Sequence, residues 1–166
     1  MGMRARTMAA SGLGFLWALL LLWAAARFVQ LPVFTLMPTI MTAFFAPGLV
    51  LAAMVMRVAT RRLVDEAAMQ GAPLQGKAAV DQRVLQNTLE QLALALCIWP
   101  AAAVLLAENG PGVIMALGAG FAVARVVFWL GYHLSPMFRV VGFAATFWPT
   151  VLVALWALWR LATGMA

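Results

Sequence analysis

Apolar residues fill this chain in five long blocks, separated by short stretches of proline, glycine, charge or amide. None of the blocks alternates apolar with polar residues in the way a half-buried strand would. Each is long enough to cross ~30 Å of hydrocarbon as an α-helix, for which ~20 residues suffice. The pattern predicts helices over about Ser11 to Val29, Thr39 to Arg61, Arg83 to Ala107, Val113 to Leu134 and Arg139 to Leu161. The breaks are also legible. "QLPVFTLMP" carries Pro32 and Pro38, "ENGPG" (Glu108 to Gly112) reads as a tight turn and "SPMF" as a short connection. The polar stretch "RRLVDEAAMQGAPLQGKAAVDQ" reads as a solvent loop or surface helix, and Pro100 predicts a kink in the third helix.

Composition narrows the class. With 66% hydrophobic and 10% charged residues, the chain is unlike an ordinary soluble domain, and several spanning blocks point to an all-α, polytopic membrane helix bundle. The formal net charge of +6 invites a nucleic-acid reading, but the basic residues flank the apolar blocks as topology determinants do. With five helices, Arg4, Arg6, Arg57, Arg61, Arg62, Lys77, Arg83 and Arg139 fall on one side, and Arg27 and Arg160 on the other. An excess of positive charge inside then places the N-terminus, the 62–82 loop and the 133–139 turn in the cytoplasm. "MRAR", an apolar stretch and "AAAR" also resemble a signal peptide; the length of the run favours a retained helix. Cys97 is the sole cysteine, so no intrachain disulfide forms, and it reads as a small buried hydrophobe. His133 is the sole histidine, and no cluster with metal-ligand spacing occurs in the sequence.

Candidate chemistry begins at "DQRVLQNTLEQL", residues 81–92. On a helix, positions four and seven along lie about 40° and 20° from the starting residue. Arg83, Asn87 and Glu90 therefore share a stripe, with Gln86 beside it. Glu90 sits about 10 Å deeper than Arg83, and a carboxylate there costs ~2.5–3.5 kcal/mol unless it faces protein or water, so the stripe is expected to point inward. In the fourth helix Arg125 and Tyr132 are seven apart and share a face. Glu90 and Arg125 come to similar depths, which predicts an ion pair, and Arg139 opens the fifth helix at the same surface as Arg83 and Tyr132. Interhelical glue and interfacial snorkelling are the plainer readings of each residue alone. Their convergence favours a site for a small anionic or zwitterionic ligand. Arg83 would clamp a carboxylate through two parallel bonds, Asn87 offers a donor and an acceptor, and Glu90 would receive an ammonium. Arg139 would hold an anion or stabilise a thiolate. His133 reads as a donor completing the last helical turn, rather than a general base.

"RVLQNTLEQL" followed by "ARVVFWLGYHLSPMFR" resembles the MAPEG family, the membrane-associated proteins in eicosanoid and glutathione metabolism, over roughly residues 40 to 162. The resemblance implies a bacterial-type member in the inner membrane, with a MAPEG-like four-helix domain (37–166) assembled as a homotrimer and an extra N-terminal helix with its link (1–36). It further implies glutathione as thiol co-substrate, held between neighbouring subunits near the cytoplasmic face by Arg83, Gln86, Asn87, Glu90, Arg125 and Phe128. Tyr132 would help enclose it and Arg139 would stabilise its thiolate. One of Arg57, Arg61 or Arg62 would supply the basic residue that the family places at the end of its first helix. The implied activity is that of a transferase or peroxidase acting on a lipophilic electrophile or hydroperoxide admitted from the lipid. Phe128 departs from the pattern, since many members carry a tyrosine there and Tyr132 is the only tyrosine in this chain. The family also has members without catalytic activity, so a lipid-binding or scaffolding protein is the alternative implied.

Overall fold

The computed structural model describes residues 2–164. It contains α1 (Met3–Phe28), α2 (Leu36–Ala43), α3 (Phe45–Leu63), α4 (Glu66–Met69), α5 (Gly76–Leu105), α6 (Gly110–Leu134) and α7 (Pro136–Ala162). Among the described residues there is no strand, and five helical segments are long and apolar enough to cross a membrane, α2 and α3 together forming one of them. The protein is an all-α integral membrane protein, as its apolar blocks predict.

The second span is interrupted at Phe44 because Pro47 lacks an amide hydrogen and its ring crowds the carbonyl four residues earlier. Gly48 N then donates to Phe44 O at 2.9 Å and the helix resumes. At Pro100, where the sequence suggests a kink, α5 runs on without a break in its helical assignment. The neighbouring Trp99 is buried, donates to Thr150 Oγ1 at 3.2 Å and lies between the rings of Phe44 and Phe121, which fixes this part of α5 in the main core.

α1 and α5 begin about two turns earlier than their apolar blocks do. Hydropathy marks only the part of a helix that lies in lipid, whereas the added residues are mostly good helix formers such as Arg, Met, Lys, Ala and Gln. Within the polar connection, Asp65 caps α4 by accepting from Ala68 N at 3.1 Å. "ENGPG" forms a 3₁₀ turn over Ala107–Asn109, with Pro111 in the first turn of α6. Cys97 is exposed on the surface of the bundle, contrary to the expectation of burial, because α5 turns that face away from its neighbours.

The early start of α5 brings Asp81 onto the buried face that continues through Val84, Thr88 and Ala95. Its side chain is 2% exposed. Asp81 Oδ2 accepts from Arg57 Nε at 3.1 Å and Arg61 Nε at 3.3 Å, Oδ1 accepts from Trp129 Nε1 at 3.4 Å, and His133 Nε2 lies 3.9 Å away. One carboxylate thus joins α3, α5 and α6 at the end of the bundle that carries most of the basic residues. Below it Met54, Val58, Val84, Leu85 and Phe128 form a small apolar cluster.

α1 packs chiefly on α7 and more lightly on α6. The face it presents is small (Ala10, Gly14, Ala18), and a Cβ on Gly14 would lie 2.3 Å from Ala144 Cβ, so only glycine allows this approach. Beside this contact Trp148 Nε1 donates to Ser11 Oγ at 3.4 Å, and Phe15 meets the Trp148 ring edge-on with centroids 5.2 Å apart. Asp81→Ala is expected to lower stability by about 1–3 kcal/mol, since it strands two guanidinium groups and an indole N–H. Arg57→Ala or Arg61→Ala alone should cost about 0–1 kcal/mol, each being more than a third exposed and backed by the other. Thermal melting of the three variants in detergent measures the difference.

Candidate functional site

Arg125 is completely buried, with 0% exposure, so its five N–H groups must find partners inside protein. Nη1 donates to Asn87 Oδ1 of α5 at 2.9 Å, and Nη2 donates to the Gly142 carbonyl of α7 at 3.1 Å and to Thr146 Oγ1. The guanidinium carbon lies 4.4 Å from the centroid of Phe128 and 5.7 Å from that of Phe121, which adds cation–π attraction. Only Nε lacks a partner among the described residues. Gly142 makes the arrangement possible, because a Cβ there would lie 2.5 Å from Phe128 N. α7 therefore touches α6 closely enough for its carbonyl to reach the guanidinium.

The ion pair expected between Glu90 and Arg125 does not form. Glu90 is exposed on the protomer and accepts from Gln86 Nε2 at 3.2 Å. Residues 87 and 90 lie about 60° apart around a helix; Asn87 falls on the edge of α5 nearest α6, and Glu90 is carried outward. The inward-facing stripe expected from the spacing is corrected in the same way. Arg83, Gln86 and Glu90 are exposed, and Asn87 alone of the four is half-buried.

The bond from Arg125 also orients the Asn87 amide. A guanidinium only donates, so Oδ1 must face Arg125, and the Asn87 NH₂ group is turned away from it. Asn87 lies on the boundary of two hollows. The larger, of about 450 Å³, is lined by Asn87, Phe128, Tyr132, Arg139, Val140 and Phe143, with Thr7 and Ser11 of α1 on its far rim. The other, about 370 Å³, is a shallow recess along α5 bounded by Gln82, Arg83, Gln86, Asn87 and Glu90. In the crevice the Arg139 guanidinium lies 5.1 Å from the Tyr132 ring centroid, and Phe128 meets Tyr132 edge-on at 5.3 Å.

The predicted residues thus fall into three groups. Arg83, Gln86 and Glu90 flank Asn87 on the outer side, Phe128, Tyr132 and Arg139 meet it in the crevice, and Arg125 lies beneath. Among the described residues, Arg139 is the only charged side chain lining the crevice. Its other polar groups are the Asn87 amide, the Tyr132 phenol and two hydroxyls, set against the apolar surfaces of Phe128, Val140 and Phe143. Such a lining suits an anionic or thiolate group at one end and an apolar body at the other. His133 is turned toward Asp81 and adds nothing to the crevice.

Sequence reasoning missed Thr7, Ser11, Asp81 and Thr146. Asp81 lies three residues before Val84 and seven before Thr88, so extending the buried stripe backwards would have placed it. Thr146 lies seven residues after Arg139 and four after Gly142, on a face that the spacing also defines. The docking of α1 across α7 left no comparable signal.

No curated protein and no solved structure matches the chain significantly. A family model does match, over residues 35–159, which is more than half of the chain and includes every element of the site except α1. On that match, and with the Arg–Asn–Glu stripe of α5 set beside Tyr132 and Arg139, the chain belongs to the MAPEG family.

Proposed function

We propose that the protein is a glutathione-dependent transferase or peroxidase acting on lipophilic electrophiles or hydroperoxides. The observation that carries this reading is Asn87, fixed by Arg125 as a donor and shared between a recess holding Arg83 and Glu90 and a crevice holding Tyr132 and Arg139. A zwitterionic peptide thiol fits that division. Its charged backbone would lie along α5, with Arg83 on a carboxylate and Glu90 on the ammonium, while Tyr132 and Arg139 receive the sulfur end. Arg139 stabilises the thiolate by its charge. The thiolate then attacks an electrophilic carbon, forming a C–S bond as the leaving group departs with its electron pair. With a hydroperoxide it takes the distal oxygen, and with one proton releases the alcohol and a sulfenic acid; a second glutathione converts this to the disulfide and water.

Family membership and the outer stripe also support a homotrimer. Glu90 lies near the middle of the 30-residue α5 and is exposed on the protomer, where facing acyl chains would cost ~2.5–3.5 kcal/mol. A neighbouring copy covering this face would both remove that cost and close the recess over a ligand. The basic ends of the spans favour a cytoplasmic N-terminus and site. A second reading, a non-catalytic lipid-binding or scaffolding member, is favoured by Phe128, which puts a bare ring where many members have a phenol.

Calorimetry on the detergent-purified protein should detect glutathione binding, and Arg83→Ala should weaken it about 10–100-fold while leaving the oligomer intact. No heat at millimolar glutathione would refute the enzyme reading, and dissociation of the Arg83→Ala oligomer would make the stripe assembly glue. Arg139→Ala should lower turnover with chlorodinitrobenzene by about 10²–10³ while changing glutathione affinity far less. Asn87→Asp is expected to raise the melting temperature by giving Arg125 a carboxylate, yet to weaken glutathione binding about tenfold because the NH₂ donor is gone.

A further inference from the structure

α1 lies outside the family match, yet it supplies one rim of the crevice that holds Arg139 and Tyr132. The two hydroxyls on that rim are four residues apart, about 6 Å along the helix, and differ in hydrogen bonding. Thr7 Oγ1 donates to the Met3 carbonyl at 3.1 Å, so its proton is already used. Ser11 is not bonded back to its own helix. Its Oγ accepts from Trp148 Nε1 at 3.4 Å, and among the described residues its proton has no acceptor. Indole nitrogen only donates, so this contact places a lone pair of Ser11 toward Trp148 and leaves the O–H to another group. Gly14, three residues further along α1, fixes the helix against Ala144, while Phe15 packs on the Trp148 ring. The helix that carries the hydroxyl is therefore fixed against α7, and Ser11 faces the crevice beside the apolar surfaces of Phe128, Val140 and Phe143.

From this geometry we infer that Ser11 positions the second substrate: its O–H donates to an oxygen of a lipophilic acceptor whose apolar body lies against Phe128 and Phe143. The inference rests on the glutathione-dependent reading above and deepens it. It divides the site by element, with the thiol held by α5, α6 and α7 and the acceptor's oxygen held by α1. The substrate class that this selects is a long-chain lipid bearing a hydrogen-bond-accepting oxygen near its reactive atom, a fatty acid hydroperoxide being the simplest probe. The chemistry is unchanged by Ser11, which transfers no proton and forms no covalent bond to the substrate.

Steady-state kinetics of the full-length protein with glutathione and linoleic acid hydroperoxide test this. Ser11→Ala should raise KM for the hydroperoxide about five- to tenfold, with KM for glutathione within about twofold of wild type. Ser11→Thr should restore the wild-type value. Trp148→Phe, which keeps a ring and removes the N–H, should shift the same KM in the same direction by a smaller factor. An unchanged hydroperoxide KM in Ser11→Ala, a parallel rise in both KM values, or failure of Ser11→Thr to restore it would overturn the inference and leave the glutathione-dependent activity standing. Absence of turnover by the wild type with both the hydroperoxide and chlorodinitrobenzene would overturn the activity and the inference together.

Discussion

A guanidinium buried among helices with no carboxylate beside it has to spread its charge over neutral oxygens and ring faces, and around Arg125 that requirement shapes much of the bundle. It recruits an amide from α5, a carbonyl and a hydroxyl from α7, and two phenyl rings from its own helix. Each partner needs a local concession from the sequence. Residue 142 must be glycine for the carbonyl to come near, and residue 87 must present oxygen inward, which sends its nitrogen the other way. The orientation of the amide that borders both hollows is thus a consequence of solvating a buried cation.

The basic end of the bundle solves the opposite problem. There the buried charge is the Asp81 carboxylate, and two arginines from α3 come to it from partly exposed positions. With Arg57 and Arg61 engaged in this way, Arg139 is left, among the described residues, as the one cation lining the crevice and Arg83 as the one cation lining the recess. The two clusters share α5 and α6, so the same pair of helices carries a charge solvated by dipoles and, about one to two turns away, a charge solvated by other charges. Tyr132 and Asn87 lie in the region between them.

Much of this was legible in the residues. Five spans follow from the apolar blocks, and the meeting of Asn87, Tyr132 and Arg139 in one crevice follows from spacing within α5 and α6 and the short α6–α7 connection, whereas Arg83 faces a separate recess. What spacing cannot give is rotation about a helix axis. Asn87 and Glu90 looked equivalent as members of one stripe, but 60° of rotation separates a residue that meets α6 from one that leaves the protomer. Helix ends at the membrane surface were equally hidden, since hydropathy falls to nothing where the helix continues into water. Both Asp81 and the rim residue Thr7 lie in such extensions, and Ser11 stands at the first position of its apolar block. The crossing of α1 over α7 depends on small residues, which also occur throughout apolar helices and so mark no particular partner.

The small-residue seam between α1 and α7 has a consequence for how this chain could change over time. α1 is attached through the small face of Ala10, Gly14 and Ala18 and the contacts of Ser11 and Phe15 with Trp148, without an ion pair among the described residues, and it lies outside the segment that the family model matches. Its crevice-facing positions can therefore vary without disturbing the buried cation or the polar stripe of α5. One rim of the crevice is thus open to change by drift in a single peripheral helix, while the segment matched by the family model keeps its buried contacts untouched.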